Sequence, residues 1–343
     1  MGAVIPVVIV AGFLGSGKTT LLNYLLRNNR GTRIGVVVND FGAVNIDAML
    51  VAGQVDAMVS LGNGCVCCAV DVSELDDLFA QLAQPRSAVD VIVVEASGLA
   101  EPRNLIRMVI ANPNPRIAYG GLVEVVDAEQ FTATSAQHPE LVTHLRMADL
   151  VLVNKADRVG AEALAGLRAR LADWVGQVPV YATTHGRIDP GLLFDDRAPD
   201  QPKVAEQLSF DTLLDEHDHD DPDHRHLHDD YVSVSFTSDV ALNPRALVGF
   251  LEDPPPGLFR AKGYVTFAVA GERRKFEVHL VGRHVVFTPG SWARGEQRVS
   301  NLVLIGAGLD ADGALKRLHD TVFDGETLLD AQEMLGVWRY TVQ

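Results

Sequence analysis

Long apolar runs are missing from this chain. The longest, Val4 to Gly12, spans nine residues, against the ~20 that a helix needs to cross a bilayer. No basic segment precedes it, so it does not read as a signal peptide. Met1-Gly2 could open a myristoylation signal, but Pro6 occupies the place where that signal needs Ser or Thr. Cysteine is scarce as well: Cys65, Cys67 and Cys68 are the only three. An odd number crowded into four positions makes a poor disulfide framework and a good thiolate ligand group. Positive charge is short too, with 29 Lys and Arg against 45 Asp and Glu and a net charge of −16. Such a surface repels phosphate backbones and anionic headgroups, so neither nucleic acid nor membrane is an expected partner. Any phosphate must be held in a local pocket. A soluble, cytoplasmic protein is expected.

What is present is ordinary for a globular chain: 343 residues, 47% hydrophobic and 22% charged. At about 150 residues per domain this predicts two domains. Short, β-branched apolar runs occur at Val4–Ala11, Ile34–Val38, Val89–Val94, Leu122–Val126, Leu150–Val153 and Val178–Ala182. They have the pattern of strands buried on both faces of a parallel sheet. Helical patterns alternate with them at Thr20–Arg27, Ser73–Leu82, Asn104–Ile110, Glu140–Met147 and Ala161–Val175. Strand and helix in alternation predict an α/β domain over residues 1–195. A Pro-, Asp- and His-rich linker follows over 196–230, where Asp215–Asp230 holds five His and eight acids and cannot build a core. Residues 231–343 read as a smaller α+β domain. Its strand patterns lie at Tyr231–Phe236, Gly263–Val269, Lys275–Leu280, His284–Phe287 and Asn301–Ile305, its helical ones at Pro244–Leu251 and Ala311–His319.

The stretch G-F-L-G-S-G-K-T, Gly12 to Thr19, follows a predicted strand and opens a predicted helix. That context makes it a P-loop. Gly12, Gly15 and Gly17 let the backbone curl so that its N–H groups face a β-phosphate at the helix N-terminus. Lys18 reaches the β- and γ-phosphates and the Thr19 hydroxyl ligates Mg²⁺, with Ser16 and Thr20 completing the nucleotide-contacting stretch. Asn154-Lys155-Ala156-Asp157 ends a later strand and gives N-K-x-D. The Asp157 carboxylate can accept from guanine N1–H and the 2-amino group, an arrangement adenine does not offer, so the base is guanine. Glu95-Ala96-Ser97-Gly98 gives E-x-x-G after a third strand. Gly98 can turn its N–H towards a γ-phosphate, and Glu95 orients either the attacking water or a Mg²⁺ ligand. Asp40, in V-N-D-F-G, is a candidate first switch and Mg²⁺ contact, or simply a turn residue at a strand end.

Between these two switches lies Gly64-Cys65-Val66-Cys67-Cys68. Zn²⁺ binds thiolates at about 2.3 Å and takes four ligands in structural sites, so three thiols leave one position open. An incomplete shell suits transfer better than storage. In the acidic run, His217, His219, His224, His226 and His228 are interspersed among eight carboxylates. Both groups are ligands for Zn²⁺, Co²⁺ and Ni²⁺, which makes the run a weak metal-collecting segment; the plainer reading is a solvated linker.

The order P-loop, V-N-D-F-G, G-C-V-C-C, E-A-S-G-L-A-E-P, N-K-A-D resembles that of the CobW-like family of metallochaperone GTPases. The resemblance extends through the His-rich linker to R-A-K-G at Arg260–Gly263 and L-V-L-I-G at Leu302–Gly306. Asp40 stands where many members carry Glu, and the strand after Gly263 lacks an expected Trp. The resemblance implies a GTPase using GTP and Mg²⁺, which delivers Zn²⁺ (or Co²⁺) to a client metalloprotein; the sequence identifies no arginine finger, so slow turnover accelerated by a partner is expected. Three alternatives remain: an accessory role in cobalt insertion for cobalamin, a metal buffer with a structural nucleotide site, and an ATP-using kinase or ligase.

Overall fold

The computed structural model describes residues 4–38, 57–60, 72–84, 87–98, 101–194, 232–325 and 329–341. Seven strands form a first sheet: β1 (Ile5–Ala11), β2 (Ile34–Val38), β3 (Ala57–Ser60), β4 (Val91–Glu95), β5 (Ile117–Asp127), β6 (Leu150–Asn154) and β7 (Val180–Ala182). All pairings are parallel, in the order β3-β2-β4-β1-β5-β6-β7. Parallel neighbours require crossovers, and helices supply them on both faces. On one face lies α1 (Lys18–Arg27), whose Leu21, Leu22, Leu25 and Leu26 form one apolar stripe against Val8, Val10, Val93 and Val123. The other face is covered by α2 (Val72–Leu82), α3 (Pro102–Ile110), α4 (Phe131–Gln137), α5 (Glu140–Leu145) and α6 (Ala161–Val175), through residues such as Phe79, Leu105, Phe131 and Leu171. A short helix α7 (Pro190–Leu193) closes this part of the chain, its N-cap Asp189 accepting from the Gly191 amide. The expected α/β architecture is therefore present.

A second sheet is antiparallel: β8 (Val232–Ser238), β9 (Leu258–Val265), β10 (Lys275–Val281), β11 (His284–Gly290) and β12 (Ser300–Gly306), in the order β11-β10-β9-β12-β8. Strict alternation of buried and less buried positions along β10 shows that one face is covered. That face carries Phe236, Phe276 and Phe287 and packs on α8 (Pro244–Glu252), α9 (Ala311–His319) and α10 (Leu335–Arg339). This is the smaller α+β unit.

The differences from the sequence reading have local causes. β5 starts at Ile117, five residues before the expected Leu122, because Gly120-Gly121 is a bulge inside the strand where pairing with β1 shifts register. Phe131–Gln137, where Thr and Ser interrupt the apolar pattern, is a helix outside the expected set, with Phe131 buried at its start. β9 lies at Leu258–Val265 instead of Gly263–Val269. Arg260 and Lys262 mask its apolar pattern, and pairing with both β10 and β12 sets its limits.

The two units meet at the edge of the first sheet opposite the P-loop. Phe259 and Ala307 share a core with Leu150 and Val123, and the Tyr119 and His284 rings meet edge-on at 5.5 Å. Asp149, just before β6, accepts from the Tyr119 hydroxyl at 2.5 Å and the Leu122 amide at 2.9 Å. Burial pushes its carboxyl up to about 6 against the opposing pull of these hydrogen bonds, to which the Arg283 backbone adds another. A carboxyl with a raised folded-state pKa stabilises below its unfolded value, and that contribution is lost as pH rises through the folded value. Denaturant melts of the full chain should therefore show the wild type losing stability relative to Asp149→Asn between about pH 4 and 6.

Candidate functional site

The carboxyl ends of β1, β4, β5 and β6 line one edge of the first sheet, the place where open parallel sheets hold ligands. Register sets these ends beside one another: Val10 faces Glu95, Ala11 faces Glu124 and Asp127 faces Asn154. From β1 the chain turns through Gly12 to Gly17 into α1. Gly12 and Gly17 have φ of 142° and 104°, and a Cβ at either would lie 2.3 Å from the Val125 carbonyl or 2.2 Å from Asn154 Nδ2. Only glycine fits such positions. Gly17 is the N-cap of α1, and no side chain caps that end. The first amides of the helix, at Lys18, Thr19 and Thr20, thus present the donors and the positive end of the helix dipole to a ligand.

Side chains tie this loop to its neighbours. Lys18 Nζ donates to the carbonyls of Gly12 (2.9 Å) and Phe13 (3.2 Å), across the mouth of the loop. The Thr19 hydroxyl donates to Glu95 Oε1 at 2.7 Å, joining the P-loop to the E-x-x-G strand. Glu95 is 3% exposed, deep enough to be held rigidly. Gly98 sits against the loop, where a Cβ would be 2.8 Å from the Leu14 amide nitrogen. Asn154 is buried and bonds in two directions, donating to the Ser16 carbonyl at 2.9 Å and accepting from the Gly186 amide at 2.9 Å. Lys155, in the left-handed region at φ 60°, forms an ion pair with Asp127 at 2.5 Å. Asp157 follows in a single 3-10 turn, Ala156–Arg158, and is exposed where a base edge can reach it.

Gly12, Gly15, Ser16, Gly17, Lys18, Thr19, Thr20, Glu95, Gly98, Asn154, Lys155 and Asp157 are thus all gathered at one sheet edge. The Ser16 hydroxyl is buried without a hydrogen-bond partner. An unsatisfied hydroxyl, uncapped helix amides and the Thr19–Glu95 pair fit a phosphate with Mg²⁺. Asp40, Cys65, Cys67, Cys68, His217, His219, His224, His226 and His228 lie outside the described residues. Among the described residues no cluster of His, Cys, Asp and Glu could hold a metal ion, and no helix is long and apolar enough to cross a membrane.

Two further parts of the site escaped the sequence reading. The loop Thr183–Gly186 after β7 lies beside N-K-x-D: the Ala156 amide donates to the Thr183 carbonyl at 3.1 Å, and Gly186 packs on the Leu21 backbone. Its only sequence signal is the turn-forming His185-Gly186. Glu124 is the second. It is 3% exposed in the middle of β5, and burial pushes its carboxyl up to about 8 although Lys18 pulls the other way. An acid inside the apolar run L-V-E-V-V was its visible signal.

Comparison with known proteins gives two family matches. The CobW/HypB/UreG nucleotide-binding domain matches residues 6–182, and the cobalamin synthesis protein cobW C-terminal domain matches residues 231–322. The zinc chaperone YjiA of Escherichia coli is 36% identical over 197 residues, covering 56% of this chain and 61% of the relative. The zinc chaperone CobW of Pseudomonas aeruginosa is 33% identical over 358 residues, covering 92% of this chain and 91% of the relative. The zinc-regulated GTPase metalloprotein activator 1 of Dictyostelium discoideum is 40% identical over 113 residues, which is 29% of this chain and 23% of that protein.

Proposed function

Because this chain belongs to the CobW/HypB/UreG family, we propose that it is a GTP-hydrolysing metallochaperone that carries zinc to a client metalloprotein. The observation that supports this most is the hydrogen-bonded frame Glu95–Thr19 and Ser16–Asn154–Gly186. It joins the phosphate loop, the E-x-x-G strand and the N-K-x-D turn in one rigid unit. The relatives' names supply zinc as the cargo.

In this reading Lys18 leaves the Gly12 and Phe13 carbonyls for the β- and γ-phosphoryl oxygens. Its ammonium stabilises the charge that builds there during transfer to water. Thr19 and Glu95, with Asp40, would hold Mg²⁺, which supplies charge neutralisation between the β- and γ-phosphates. Asn154 keeps the N-K-x-D turn at a set distance from the P-loop. Asp157 selects guanine. Cys65, Cys67 and Cys68 hold the zinc, and the His-rich run gathers it weakly.

Residues 65–68 lie between Asp40 and Glu95 in the chain, so nucleotide state can bear on thiol geometry. GTP with Mg²⁺ should change zinc affinity, and zinc should change GTP affinity by the same factor. Competitive chelator titrations with GTP, with GDP and without nucleotide are expected to differ by about 5- to 150-fold. Replacing the three cysteines by Ser should leave GTP binding and remove its zinc dependence. Three superimposed titrations would instead indicate a metal buffer with a structural nucleotide site.

A further inference from the structure

We propose that Glu124 is a proton-linked control of the nucleotide site: a guanosine triphosphate binds tightly only while this carboxyl is neutral. The proposal rests on the reading of Gly12–Thr19 as a phosphate cradle. Glu124 sits within β5 level with Ala11, where β1 passes into the cradle, and with Val151 of β6 on its other side. Its Oε2 is buried and has no hydrogen-bond partner. The cavity it lines is bounded by Phe13 and Ser16 of the cradle, Phe131 and Thr134 of α4, and Leu141 of α5. The second unpartnered buried polar atom on that cavity is Ser16 Oγ. A Val or Ala would serve the sheet as well as Glu124 does, without the cost of burying an acid. What an acid adds here is sensitivity to charge on the cradle.

The charges around it are few. Lys18, at the start of α1, is the group that acts on Glu124. Its strand partners Ala11 and Val151 are uncharged. α4 carries no titratable residue. On α5, His144 is set against Glu140, Glu101 and Arg103. Asp127, further along β5, is paired with Lys155.

In the free protein the ammonium of Lys18 favours the charged carboxylate, and burial outweighs it, so Glu124 titrates at about 8. A bound triphosphate shares the Lys18 charge with its own oxygens and brings several negative charges to the other side of the loop. Both changes favour neutral Glu124. Above its free-state value, the carboxylate must therefore take up a proton for nucleotide to bind. Affinity then falls by up to about tenfold per pH unit. Below about pH 7 the carboxyl is neutral in both states and the linkage vanishes.

Titration calorimetry of Mg²⁺-GTP into the full-length chain tests this at pH 7 and pH 9, each in two buffers of different ionisation enthalpy. The wild-type protein should take up close to one proton more than Glu124→Gln at pH 9, and equal amounts at pH 7. Its affinity should drop about tenfold more than that of the variant between the two pH values. Proton release by the nucleotide itself cancels in the difference. Glu124→Ala, which also lacks a titratable group, should behave like Glu124→Gln and covers the case in which one variant fails to fold. Equal proton uptake by wild type and variants at pH 9 overturns the proposal. Absence of GTP binding by every protein at both pH values overturns the phosphate-cradle reading and this proposal with it.

Discussion

Lys18→Ala lowers GTP turnover by at least about 10²-fold, the cost of removing one donor from a developing phosphoryl charge. The ammonium already lies over the cradle, held by the Gly12 and Phe13 carbonyls. Few atoms must move for it to reach a phosphate, and Ala has no atom that can replace it. The fold should survive. Lys18 opens α1, and its charge lies at the loop, whereas the helix is anchored by Leu21, Leu22 and Leu25. Phosphate release measured beside circular dichroism and thermal melting checks both halves. Near-normal turnover in a folded variant would remove the P-loop from the mechanism.

Asp157→Asn weakens GTP binding by about 10²-fold and erodes the preference over ATP, since it removes a charge-assisted acceptor for guanine N1–H and the 2-amino group. The amide keeps one acceptor and introduces a donor. A base with an oxygen in place of the 2-amino group then becomes the better match, so xanthosine triphosphate should gain relative to GTP. Competition binding among GTP, ATP and xanthosine triphosphate reads this directly. Because Asp157 is exposed in a single 3-10 turn, the exchange should leave the Asn154 bonds to Ser16 and Gly186 untouched. Equal affinity of the wild-type protein for ATP and GTP would refute the base assignment.

The phosphate loop, the N-K-x-D turn and the E-x-x-G strand were legible in the amino-acid order because each is contiguous and rests on local physics. Glycines are needed where the backbone turns, a lysine and a threonine where phosphate and Mg²⁺ lie, and β-branched runs where strands are buried on both faces. Those requirements also determined the parallel α/β architecture, and the strand and helix patterns after residue 231 determined a smaller α+β unit, whose antiparallel pairing only the structure shows. Only tertiary structure decided which motifs hold one another. Asn154 reads as part of a base-recognition motif, yet both its bonds run elsewhere, to Ser16 138 positions earlier in the chain and to Gly186 32 positions later. The Thr183–Gly186 loop has no such motif and is held by backbone bonds and by the Asn154 side chain. Glu124 shows the limit most clearly. Its position in an apolar strand was visible, but its proximity to Lys18 depends on β5 pairing with β1 at Ala11, and its charge state depends on burial. Register and desolvation are properties of assembled neighbours, so no local pattern in the chain encodes them.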